Sequence, residues 1–224
     1  MRWIHGSPST ITATQIIYNI GRADDMDINA EPKRFIVRSS DLPELFPTNR
    51  HSEKFWEALG RIVGTFGFLE EVLGKAIFAF TGTQEYDESQ VEKAYKLWLP
   101  TLKRALSDSL GGLIDSYEKA VRDNPDATVT NIDELVSDLR EASTVRNVLC
   151  HGSWRSPSRE GKSIPLFVNR KGDIFPTAFD ISSLMLLQKS VVDLTCAVIN
   201  TVTHMGWQFP GSNGPGNVIW NGTK

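Results

Sequence analysis

Residues 52–80 read SEKFWEALGRIVGTFGFLEEVLGKAIFAF, and the spacing of the large apolar side chains in this stretch decides the fold class. Phe55, Leu59, Ile62, Phe66, Leu69, Leu73, Ala76 and Phe80 follow one another at intervals of three and four. That is the period of one face of an α-helix, not the alternation of a strand. Gly60, Gly67 and Gly74 recur at every seventh position beside the stripe, each at a cost of about 1 kcal/mol of helix propensity relative to alanine. Either a close-packed seam against another helix offsets that cost, or the glycines simply weaken a helix held by burial. Thr81-Gly82-Thr83 marks its end.

Further helical patterns follow. Val91, Tyr95, Trp98, Leu102, Ala105, Leu110, Leu113, Tyr117 and Val121 keep helical spacing, with Pro100 expected to kink or split the segment. After Asn124-Pro125-Asp126, Thr130 or Asn131 is placed to cap a helix whose stripe runs through Ile132, Leu135, Leu139, Ala142 and Leu149 up to Gly152. Asp180 is placed to cap a last helix, with Ile181, Leu184, Gln188, Val191, Thr195, Val198 and Val202 on one face. Between these two helices, Ile164-Pro165-Leu166-Phe167-Val168 and Ile174-Phe175 flank Asn169-Arg170-Lys171-Gly172-Asp173, which predicts a β-hairpin over about 163–178.

The chain thus reads as mainly α, with a helical domain over 51–206. Residues 1–50 form an irregular arm in which Ile16-Ile17-Tyr18 and Phe35-Ile36-Val37 lean towards strand. Residues 207–224 are a tail rich in glycine and proline, in which Trp207, Phe209 and Trp220 are available to dock.

Composition bounds what such a domain does. The chain has 224 residues, 40% hydrophobic and 23% charged, enough for one domain with a real core. A formal net charge of −3 excludes a broad basic surface, so any nucleic-acid site must be local. No run of about 18 uncharged apolar residues predicts a membrane span, and Met1 to Pro8 lacks the apolar core of a signal peptide, so a cytoplasmic location without membrane association is expected. Cys150 and Cys196 read as buried free thiols of the reducing cytosol.

One position breaks the apolar pattern. Seven residues turn a helix by about 700°, which puts Arg146 within about 20° of Leu139, on the face shared with Ala142 and Leu149. A guanidinium there requires a carboxylate, a subunit interface or an anionic ligand. Glu70 is the carboxylate expected to meet it, because it falls among Phe66, Leu69, Leu73 and Ile77 while Glu71 points outward. Asn147 and His151, four apart, lie on the flank next to Arg146 just before Gly152. A purely structural role, with Arg146 bridging to an acid and His151 favoured by the helix dipole, accommodates the same residues.

Arg146, the polar Asn147 directly after it, four residues between Arg146 and His151, and then Gly152 resemble the Arg-x4-6-His signature of the HEPN family. The resemblance covers roughly residues 52–205. It implies a four- to five-helix bundle, usually dimeric, with paired motifs facing a cleft at the interface, and in many members a ribonuclease of a toxin or antiviral defence system. It implies that His151 moves protons during attack of an RNA 2′-hydroxyl on the adjacent phosphate, that Arg146 stabilises the anionic phosphorus, and that Asn147 orients one or the other. RNA, a second copy of the chain and a regulatory protein such as an antitoxin are the partners implied. No cofactor is expected, and no His, Cys, Asp or Glu cluster shows metal-ligand spacing. Trp154, Arg155 and Arg159, with Lys162, Arg170 and Lys171 beyond them, offer a stackable ring and charge for single-stranded RNA, or an ordinary solvated loop.

Overall fold

A computed structural model describes residues 36–83, 86–214 and 216. The chain divides into two units, Met1–Asn49 and Arg50–Lys224. In the first, a 3-10 turn spans Ser39–Asp41, while Ile36 and Val37 form no strand and are exposed. Ile16-Ile17-Tyr18 and Phe35 lie outside the described residues, as does Trp220.

The second unit contains five described α-helices: α1 (Glu53–Gly82), α2 (Val91–Ser107), α3 (Leu110–Asp123), α4 (Ile132–His151) and α5 (Ile181–Thr203). Ser52 caps α1 by accepting the Phe55 N–H, and every member of the predicted Phe55-to-Phe80 stripe is buried. α1 packs against each of the other four helices, with α5 as its most extensive neighbour. α5 begins with a capping box, in which Asp180 accepts the Ser183 N–H and the Ser183 hydroxyl serves the Asp180 backbone. That hydrogen bond holds the Asp180 carboxyl below its usual range. By length and composition α5 is apolar enough to cross a bilayer, but Leu184, Leu187, Val191, Val198 and Val202 are buried within the helical unit.

Several expectations need correction. The chain does not break at Pro100, which lies on an exposed part of α2 where water can meet the carbonyl left without an N–H donor. It breaks at Asp108–Ser109, both extended, where the Ser109 hydroxyl accepts the Gly112 N–H and starts α3. Asn131 is the N-cap residue of α4 but makes no side-chain cap hydrogen bond. On α2, Val91 and Tyr95 are exposed and Ala105 alone is fully buried.

The β-hairpin does not form. Among the described residues only isolated antiparallel bridges occur, Ser153 with Leu166, Ser163 with Phe179 and Val168 with Ile174. The Asn169–Asp173 turn is present, its Asn169 side chain accepting the Lys171 and Asp173 N–H groups and Gly172 adopting φ +88°. Pro165 and Pro176 offer no N–H to a ladder, and Leu166 pairs with Ser153 beside the end of α4 instead of across the turn. Cys150 and Cys196 are exposed, not buried, because each sits one residue past a buried position, about 100° further round its helix.

The glycine seam exists at one position only. A Cβ on Gly74 would come within 2.8 Å of the Ala105 carbonyl oxygen of α2, whereas Gly60, Gly64 and Gly67 face open space. Gly67→Ala is therefore expected to stabilise the protein by up to about 1 kcal/mol, and Gly74→Ala to destabilise it by forcing α2 outward. Chemical denaturation of the two variants checks the opposite signs.

Tyr117 ties α3 to α5: it is fully buried and its hydroxyl donates to Thr201 Oγ1 at 3.0 Å. Burial pushes its pKa from 10.0 up to about 12, against the opposing effect of the hydrogen bond. The fold therefore favours the neutral phenol, and the unfolded chain loses its proton first. This contribution is complete below about pH 10 and is lost as pH rises through about 12, amounting to roughly 2–3 kcal/mol. Denaturation from about pH 9 to about 11 should show stability falling more steeply in the native chain than in Tyr117→Phe, which starts about 1 kcal/mol lower.

Candidate functional site

Arg146 lies on the last turns of α4, two turns beyond buried Leu139 and one before buried Leu149. Its side chain is 29% exposed, so the apolar slot expected for it is a half-buried edge of the core. There the guanidinium donates through Nη2 to Glu70 Oε1 on α1 at 3.2 Å, and the Glu70 side chain is 28% exposed. Nη1 donates to Asn147 Oδ1 at 3.4 Å. Arginine carries five N–H donors, so donors remain beyond those held by Glu70 and Asn147. The contact expected between Arg146 and Glu70 is present, and Asn147 belongs to the same cluster.

His151 is the final residue of α4 and is exposed. It stands one turn after Asn147 on the same flank, at the C-terminal end of the helix. Gly152 follows at φ −70°, ψ 138°, so no left-handed cap is needed there. Glycine is required by crowding, since a Cβ would lie 2.5 Å from the Val148 carbonyl oxygen and 2.8 Å from Pro165 Cβ. The chain therefore leaves α4 at a fixed point directly behind His151.

The loop after this point is held by residues that sequence spacing gave no reason to single out. His51 Nε2 is 2.7 Å from the Arg155 carbonyl oxygen, as a donor in the matching tautomer, and the Ser163 hydroxyl donates to the same oxygen at 2.8 Å. The His51 ring stacks on Phe55 at 4.1 Å between centroids. Trp154 completes the group, edge-on to Phe55 at 5.0 Å and to Phe179 at 6.0 Å. Trp154 is half-buried, and its Nε1 is buried with no partner among the described residues. Its ring thus anchors the loop to α1 instead of standing free for a base. Arg155 and Arg159 are exposed, and neither pairs with a described carboxylate. Lys162 lies 3.7 Å from Glu160.

Taken together, the residues form two adjoining parts: a cluster of Glu70, Arg146 and Asn147 beside exposed His151, and a clamped loop that carries Arg155 and Arg159 outward. A groove between α1 and α2 touches Glu70 but none of Arg146, Asn147 or His151. His151 itself is exposed in the single chain. The sequence signal for the clamp is His51 preceding a helix that begins with Phe55 and Trp56, a local concentration of rings.

The ion pair is half-buried and the only charged contact between α1 and α4 among the described residues. A double-mutant cycle with Glu70→Gln and Arg146→Met is expected to give a coupling of about 0.5–1 kcal/mol in thermal or chemical denaturation. Simple additivity would show that the pair contributes nothing to the fold.

No protein-family model, curated protein or solved structure matches the chain.

Proposed function

We propose that this chain is a metal-independent endoribonuclease of HEPN type, acting as a homodimer in a toxin or antiviral defence setting in the cytoplasm. The observation that supports this reading is the joining of Arg146, Asn147 and Glu70 at the end of α4, with His151 exposed on the next turn. An imidazole on open surface is free to exchange protons with a substrate, and a guanidinium held at its base keeps N–H donors for a phosphate. In the proposed reaction His151 accepts the proton of an RNA 2′-hydroxyl as that oxygen attacks the adjacent phosphorus. The bond to the 5′-oxygen breaks, a protonated histidine, such as that of a second copy, supplies the proton to the leaving oxygen, and a 2′,3′-cyclic phosphate remains. Arg146 offsets the charge that gathers on the phosphorus oxygens. Two copies are invoked because the resemblance implies paired motifs facing a cleft between subunits, and His151 is exposed to meet one. Arg155 and Arg159, on the loop clamped behind the motif, are proposed to meet the RNA backbone, and an antitoxin or other regulatory protein is a proposed further partner.

One observation favours a different class. Arg146 is already engaged by a carboxylate and an amide, as a bundle-stabilising residue would be. In that version the chain is a non-catalytic nucleic-acid or nucleotide module, or a helical oligomerisation protein. The two classes separate on incubation of labelled RNA, in chelator, with the native chain and with His151→Ala. The catalytic reading expects cleavage with 2′,3′-cyclic phosphate ends and a loss of about a hundredfold or more in the variant. Equal cleavage by both proteins overturns it.

A further inference from the structure

Between α1 and α2 lies a groove of about 450 Å³, a size that accommodates a small ligand. Gly74 and Ala105, where the α2 backbone comes close to α1, are among its lining residues. Phe78, Leu102, Leu113 and Pro210 line it, and Leu106 stands at it 81% exposed. None of these residues takes part in the motif at the end of α4.

The charges around this apolar surface do not balance. Glu70 is matched by Arg146 at 3.2 Å and Glu71 by Lys75 at 2.6 Å. The third carboxylate, Asp108, is paired with no described cation. It is placed at the start of α3, where a Cβ on Gly112 would lie 3.3 Å from Asp108 Oδ2. A helix N-terminus supplies the equivalent of only about half an elementary positive charge, so net negative charge remains beside the apolar lining.

We propose that this groove is a binding site for an amphipathic monocation, a compound with one ammonium group and an aryl or alkyl body. The body would lie on Phe78, Leu102, Leu106 and Leu113, and the ammonium would meet Asp108. A neutral apolar compound would leave the carboxylate unmatched, and a dication would bring more charge than the groove offers.

Titration calorimetry of the full chain with 4-phenylbutylamine, and with 4-phenylbutanol as its neutral counterpart, tests this. The expected result is saturable binding of the amine, at least about tenfold tighter than the alcohol, a margin that corresponds to one matched charge. Asp108→Asn should bring the amine down to the level of the alcohol, and Leu106→Asn, at a residue too exposed to support the fold, should weaken both compounds. Absence of saturable amine binding, equal affinity for the two compounds, or an amine affinity untouched by Asp108→Asn would each overturn the proposal.

Discussion

The buried residues of α1 extend from Ala79 on one side to Leu59 and Ile77 on the other, an arc of roughly 160° at 100° per residue. A helix at the edge of a domain needs a stripe of only about 100°. No single neighbour covers the wider arc, so α5, α3, α4 and α2 all gather on α1. Burying each phenylalanine or leucine in that arc stabilises the fold by about 1.5–3 kcal/mol, which makes this helix the element around which the others are arranged. The spacing of residues 55–80 is therefore the source of both the helical class and the packing order.

The position of the candidate site follows from the same arc. Glu70 falls about 20° beyond the edge marked by Leu59 and Ile77. A carboxylate there is too close to the core to be left fully hydrated and too close to water to be sealed in. Arg146 lies within the apolar face of α4 near its C-terminal end, so the two half-buried groups meet at the border of the core. The adjoining turn carries Asn147 and His151 outward from that junction. Placement of the motif is a packing result, and its chemistry is what remains exposed once packing is satisfied.

Much of this was legible from the order of the residues. The stripes of α1, α4 and α5 were readable because each buries one continuous face, and Arg146 stood out because it interrupts such a face and Glu70 because it borders one. The Asp180 cap was readable because its hydrogen bond closes within three residues. What escaped was contact across long separations. His51 and Trp154 meet about a hundred positions apart, and nothing local in either neighbourhood announces it. The hairpin failed because ladder formation needs an N–H on each partner and a consistent register, which Pro165, Pro176 and the pull of Ser153 on Leu166 remove. Cys150 and Cys196 show that apolar character says little about direction when the neighbouring residue already fills the core.

Seventeen residues make up α2, yet Ala105 is the only one fully buried. Trp98 secures it further, donating its indole N–H to Thr81 Oγ1 at 2.8 Å and contacting Phe78 at 5.6 Å. Such an element opens at a small fraction of the free energy needed to unfold the molecule. Amide protons of α2 should therefore exchange through local excursions that leave α1, α3 and α5 in place. Because the groove has α2 as one wall, it vanishes in every such excursion, and occupancy of the groove suppresses them through mass action. The helix is thereby a conformational reporter, its protection rising with ligand concentration.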